Sequence, residues 1–154
     1  EESLDVATKG GKLPLVTLFP ESRRSEKEWP GYLELAQKLT ASGKAAVAWA
    51  ATRSAKEKYP EGLANLGGQT TLAELPALVD RSTLVVSNDS APLHLASALE
   101  RPLVGLFGPT TPLRFGPYPV DSPNVRLIQA PQNDLAQLPV EAVETEVLSL
   151  LDVI

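Results

Sequence analysis

Asn88, Asp89 and Ser90, followed by the only histidine of the chain, His94, interrupt an otherwise apolar stretch, "VVSNDSAPLHLASALERPLVGLFGPTTP", at 85–112. The stretch reads as strand, helix and strand, and its polar residues fall at the first joint. In an open parallel sheet, ligands bind beyond the carboxyl ends of strands, where loops lead into helix amino termini. There the peptide N–H groups of Ser90, Ala91 and Leu93 are orphan donors, Pro92 has none, and the helix dipole favours an anion. A phosphate or diphosphate suits such a place. Two plainer roles compete with it. Asp and Ser are ordinary helix caps, each worth about 1 kcal/mol, and a lone histidine in an apolar helix is more often a core residue. The joint alone leaves these alternatives open.

Two more loops converge on the same sheet edge. The loop after the first strand carries Arg23, Arg24 and Lys27, and the loop "GPTTP" brings Gly108, where backbone can approach a ligand, with Thr110 and Thr111 as hydroxyl donors. Each feature is bland by itself, since surface cations are solvated and Pro/Gly loops are turns. Together they place cations, N–H donors and hydroxyls around one crevice. The absence of cysteine excludes disulfides and thiolate chemistry and, with one histidine, argues against a zinc site. A net charge of −5 without a basic stripe disfavours nucleic acid as a partner.

The elements that must position these residues alternate along the chain. "LPLVTLF", from Leu13, is a buried strand stopped by Pro20. "WPGYLELAQKLTASGK" is a helix with Pro30 in its first turn, Leu35, Ala36 and Leu39 on one face, and Gly43 at its exit. "KAAVAWAA" (44–51) is a second, alanine-weakened strand, "TRSAKEKYPEG" a short helix, and "LANLGG" a short strand or turn. Thr71 and Glu74 have capping-box spacing ahead of a helix that contains Pro76. "TLVVS", "APLHLASALE" and "PLVGLF" give strand, helix and strand, and "GPTTPLRFGPYPVDSP" a long loop. "VRLIQ" is a last strand, before a helix from Val140 to Leu151.

This pattern predicts an α/β fold, an open, mainly parallel Rossmann-like sheet with helices on both faces. At 154 residues one domain is expected, spanning 13–154, with 1–12 as the remnant of a linker cut short of its methionine. No apolar run reaches the roughly 18 residues of a membrane span, and "EESLDVATKGGK" resembles no signal peptide, so a cytoplasmic protein is expected.

The order of these pieces, from about Leu13 to Pro119, resembles the carboxyl-terminal half of glycosyltransferase family 9, the ADP-heptose:lipopolysaccharide heptosyltransferases and their relatives. The matching blocks are "FPESRRSEKEWP", "TLAELPALV" and "VSNDSAPLHLASALERPLVGLFGPTTP". The resemblance implies a GT-B architecture, two Rossmann-like domains across a cleft, of which the second holds a nucleotide-diphosphate sugar such as ADP-heptose. Carried over by position, Lys27 contacts the diphosphate, Asp89, Ser90 and Ala91 line the donor site at the helix start, and His94 with Gly108, Pro109 and Thr110 completes it. Arg23, Arg24, Ser54 and Thr111 are secondary candidates.

The resemblance further implies that the catalytic base lies in the amino-terminal acceptor domain, so no catalytic residue is assigned here and the isolated domain is expected to be inactive. No cofactor or metal is implied, since no D-x-D pair is present. The partners implied are the nucleotide sugar and that amino-terminal domain, without nucleic acid or a membrane span, though the full-length protein could work at the inner membrane face. Three positions depart from the family pattern: Glu21 and Ala91 replace glycines, and Ser54 stands near the place of an acid that meets the ribose, with Glu57 beyond it. They motivate an alternative, a non-catalytic nucleotide-binding or interaction module with a degenerate donor site.

Overall fold

The computed structural model describes residues 8–21, 27–51, 64–65, 74–109 and 124–154. The aliphatic runs become strands β1 (Leu15–Phe19), β2 (Ala46–Trp49), β4 (Leu84–Asn88), β5 (Leu103–Phe107) and β6 (Val125–Gln129), and a two-residue β3 (Ala64–Asn65) lies beyond β2. All neighbours pair in parallel, in the order β3-β2-β1-β4-β5-β6. This doubly wound order reverses its winding direction between β1 and β4, which makes that gap the topological switch point.

Among the described residues four helices accompany the strands: α1 (Tyr32–Ser42), α2 (Leu75–Arg81), α3 (Ala91–Ala98) and α4 (Val140–Val153). Successive strand residues point to opposite faces, so the two apolar sets bury against different helices. Val16, Leu18, Val47, Leu84, Val86, Val104 and Leu106 pack with Tyr32, Leu35 and Leu39 of α1 and Val143, Val147 and Leu150 of α4. Leu15, Phe19, Ala46, Ala48, Val85, Leu103 and Phe107 pack with Leu78 and Val79 of α2 and Leu93 and Ala96 of α3. Coverage of both faces is what strands without polar alternation require, and it holds the alanine-rich β2 in place despite its weak intrinsic propensity.

Local chemistry sets the ends of these elements. α1 stops at Gly43, whose left-handed φ of 70° lets its N–H turn back to the Thr40 carbonyl at 3.3 Å. Pro76 lies in the first turn of α2, where a missing N–H removes no helical bond. Glu74 occupies the N-cap of α2, one step before the helix, and so does not take the third helical position that a capping box demands. Its expected partner Thr71, the helix expected in "TRSAKEKYPEG" and nearly all of the long loop after Pro109 lie outside the described residues.

Gly105, within β5, leaves room for α3: a Cβ built there would stand 2.7 Å from Leu93 Cδ1. After β6, two short 3-10 turns (Pro131–Asn133 and Leu135–Gln137) bury Leu135 and carry the chain to α4. Asp134 joins them by accepting the Ala136 N–H at 3.0 Å. On the α2 side, Thr17 Oγ1 lies 2.6 Å from Ser82 Oγ, which donates to the Leu78 carbonyl at 2.8 Å, so a polar pair deep in the sheet is satisfied. Residues 8–13 form a turn in which the Thr8 carbonyl accepts the Leu13 N–H at 3.0 Å.

Candidate functional site

β4 ends on Asn88, and Asp89 and Ser90 then carry the chain into α3 at the carboxyl edge of the sheet, beside the β1–β4 switch. Asp89 Oδ2 lies 3.5 Å from Lys27 Nζ, and its Oδ1 lies 3.5 Å from His94 Nε2. The Asp89 side chain is 9% exposed, against 23% for Lys27 and 53% for His94. A nearly buried carboxylate therefore gathers two basic groups that both remain open to solvent. At 3.5 Å these are long contacts that hold the groups near one another.

Asn88, grouped by its sequence position with the polar joint, has a different use. Its side chain is fully buried. Its Oδ1 accepts the Trp29 N–H at 3.1 Å and the Tyr32 hydroxyl at 3.1 Å, and its Nδ2 donates to the Pro20 carbonyl at 3.2 Å. The Trp29 indole donates to the Leu138 carbonyl at 3.0 Å and meets the Tyr32 ring edge-on, with centroids 5.1 Å apart. Gly31 has no Cβ because one would run into the Trp29 indole at 2.3 Å. Burial, reinforced by the negative charge of Glu28, pushes the Tyr32 phenol well above its ordinary value, so it stays a donor to Asn88.

The start of α3 separates capping from the other roles open to this joint. Ser90 takes the N-cap position with extended backbone, but its side chain makes no cap hydrogen bond. Its hydroxyl lies 3.2 Å from Ser87 Oγ and donates to the Asn88 carbonyl at 3.4 Å. Leu93 is not an orphan donor, contrary to expectation: the first turn tightens and its N–H donates to the Ser90 carbonyl at 3.1 Å. Ala91 begins the helix at the same edge.

Gly108 follows β5, and the structure gives it a packing role that the sequence did not reveal. A Cβ there would stand 2.8 Å from Leu135 Cγ. The Gly108 carbonyl accepts Gln129 Nε2 at 2.8 Å, tying the end of β5 to the end of β6. Pro109 is exposed. Arg23, Arg24, Ser54, Thr110 and Thr111 lie outside the described residues, as does Glu57. Glu21 follows Pro20 directly, at the carboxyl end of β1 and half-buried. Among the described residues no group of three or more His, Asp or Glu could hold a metal ion, and no helix is long and apolar enough to cross a membrane.

A doubly wound parallel sheet with Lys27, Asp89 and His94 gathered beside its switch point belongs to the Rossmann-like α/β domains that take ligands at that edge. The family model for glycosyltransferase family 9 (heptosyltransferase) matches residues 1–142, and the chain belongs to that family. It is 33% identical over 132 residues to lipooligosaccharide heptosyltransferase 2 of Haemophilus influenzae, covering 77% of this chain and 38% of that protein. Among solved structures it is similar to E. coli ADP-heptose lps heptosyltransferase II, with a TM-score of 0.73 and 27% identity over 98% of this chain and 51% of that one.

E. coli heptosyltransferase WaaC with ADP gives a TM-score of 0.74 at 24% identity, covering 96% of this chain and 48% of that one, a likeness of fold. The chain thus spans about half of these structures and less than half of the curated relative.

Proposed function

We propose that this chain is the donor-binding domain of a metal-independent glycosyltransferase. The full protein moves a heptose or a related sugar from a nucleotide-diphosphate sugar, of the ADP-heptose kind, to a lipopolysaccharide or related envelope glycan. The observation that carries this reading is the Lys27–Asp89–His94 group beside the β1–β4 switch, in a chain of family 9.

In the transfer, the bond between the anomeric carbon and the β-phosphate oxygen breaks, and the diphosphate leaves with that electron pair. The acceptor hydroxyl oxygen bonds to the anomeric carbon, and its proton passes to a base on the amino-terminal domain. The leaving diphosphate gains negative charge as the bond breaks. Lys27 and the amino end of α3 are placed to stabilise that charge more in the transition state than in the bound donor. Asp89 keeps Lys27 at the rim, and by their places in the family pattern His94, Gly108, Pro109 and Thr110 belong to the donor site, with Arg23, Arg24, Ser54 and Thr111 as secondary candidates. The work belongs on the cytoplasmic side of the inner membrane.

Calorimetry of this 154-residue chain with ADP, UDP and GDP tests the reading. Binding of one nucleoside diphosphate, without sugar transfer by the chain alone, is expected. A folded chain that binds none of them is instead the non-catalytic module that Glu21 and Ala91 suggest. Transfer by this chain alone would place the base within it.

A further inference from the structure

Asn88 joins both sides of the Lys27–Asp89 pair. Its backbone leads straight into Asp89. Its carboxamide binds the chain at Pro20 through Nδ2 and at Trp29 through Oδ1, at 3.2 and 3.1 Å. These two residues are the stems of the segment that carries Lys27, so a single buried side chain closes that loop at both ends while its own backbone supplies the opposing carboxylate. Only an amide does this at one position: its oxygen has two lone pairs for Trp29 N–H and Tyr32 OH, and its nitrogen donates to the carbonyl. An ionised aspartate lacks the donor, and an aliphatic residue would take the partner from the buried Trp29 N–H and Tyr32 hydroxyl and from the half-buried Pro20 carbonyl.

We propose that Asn88 is a positioning residue which, by tying Pro20 to Trp29, sets the Lys27 ammonium opposite Asp89 to receive the diphosphate of a nucleoside diphosphate. This rests on the donor-site reading above, and acts through Lys27 without contact between Asn88 and the ligand.

The first test is hydrogen exchange of the Trp29 amide in the wild-type chain. Protection is expected, and exchange at the unprotected rate would overturn the proposal without any variant having to fold. The second is a double-mutant cycle read as the Kd for ADP. Asn88→Ser is expected to weaken binding on the order of tenfold, and to add no loss when Lys27 is already alanine. Tyr32→Phe removes a hydrogen bond from the same amide but unties neither stem, and is expected to leave the Kd within about twofold. Losses that add in the cycle, or an equal loss in Tyr32→Phe, would reduce Asn88 to a general core residue.

Acetylation of Lys27 by acetic anhydride, followed by mass spectrometry, separates this proposal from the donor-site reading. If the wild type binds neither ADP nor pyrophosphate, the donor site fails. A faster Lys27 reaction in Asn88→Ser, matching that in Asp89→Asn, still upholds the positioning role, whereas an unchanged rate sinks it.

Discussion

Lys27 and Asp89 meet across the gap between the loop after β1 and the end of β4, 62 residues apart in sequence and 3.5 Å apart in space. The pair is partly solvated, so its own contribution to stability is about 0–1 kcal/mol. Lys27→Glu is therefore expected to shift the urea midpoint little. It should weaken ADP binding at least tenfold at low salt, and by less as salt screens the charge. Equal affinities for wild type and variant, at low and high salt, would remove Lys27 from the site.

Ser90 stands at the start of α3 without capping it through its side chain. Ser90→Ala is expected to cost about 0.5 kcal/mol or less, below the ~1 kcal/mol of a lost cap, because only long contacts to Ser87 and Asn88 are given up. Urea denaturation measures this. A loss of 1–2 kcal/mol, as for a true cap, would show that the hydroxyl turns inward to the helix in solution.

Tyr32 makes alkaline stability pH-dependent. Its folded-state phenol lies well above the ordinary value of 10.0, through burial first and Glu28 second. As pH rises past that ordinary value the unfolded chain gives up the proton while the folded chain keeps it. The stabilisation is complete below pH about 10 and is lost progressively above it. Tyr32→Phe should lower stability at neutral pH by about 1 kcal/mol for the lost hydrogen bond and flatten the fall above pH about 10. A variant with the same alkaline slope as wild type would show that another group causes it.

Leu135 occupies the space that a side chain at Gly108 would need. Gly108→Ala is expected to destabilise by about 1–3 kcal/mol through overpacking, and pairing it with Leu135→Ala should cost less than the sum of the two. Additive costs in urea unfolding would mean that the glycine is demanded by something other than Leu135.

The fold was legible because burial on both faces leaves a simple mark, short unbroken aliphatic runs separated by helical periodicity. β1, β5 and β6 fall within or on the runs that announced them, β4 runs one residue past its run to take in Asn88, and α4 extends to Val153, two residues beyond the Leu151 expected. The approach of Lys27 and His94 to Asp89 also follows from topology, since all three lie at carboxyl ends of strands or in the helix that follows one. The rest depends on distant contacts. Nothing local distinguishes Asn88 from its neighbour Asp89, and it is the distant Pro20, Trp29 and Tyr32, 68, 59 and 56 residues earlier, that make one a structural tie and leave the other at the rim. The packing of Gly108 against Leu135 was not legible, because a glycine does not announce which neighbour needs the room. Thr71 and Glu74 had the spacing of a capping box, but spacing does not fix where the first helical turn begins.

The missing methyl group at Gly105 leaves its place to the branch of Leu93, in the first turn of α3. Even one carbon there would push that branch aside and disturb the packing of the helix start against β5. The seat of this helix is thus shaped from inside the sheet, by a residue that no ligand need ever touch.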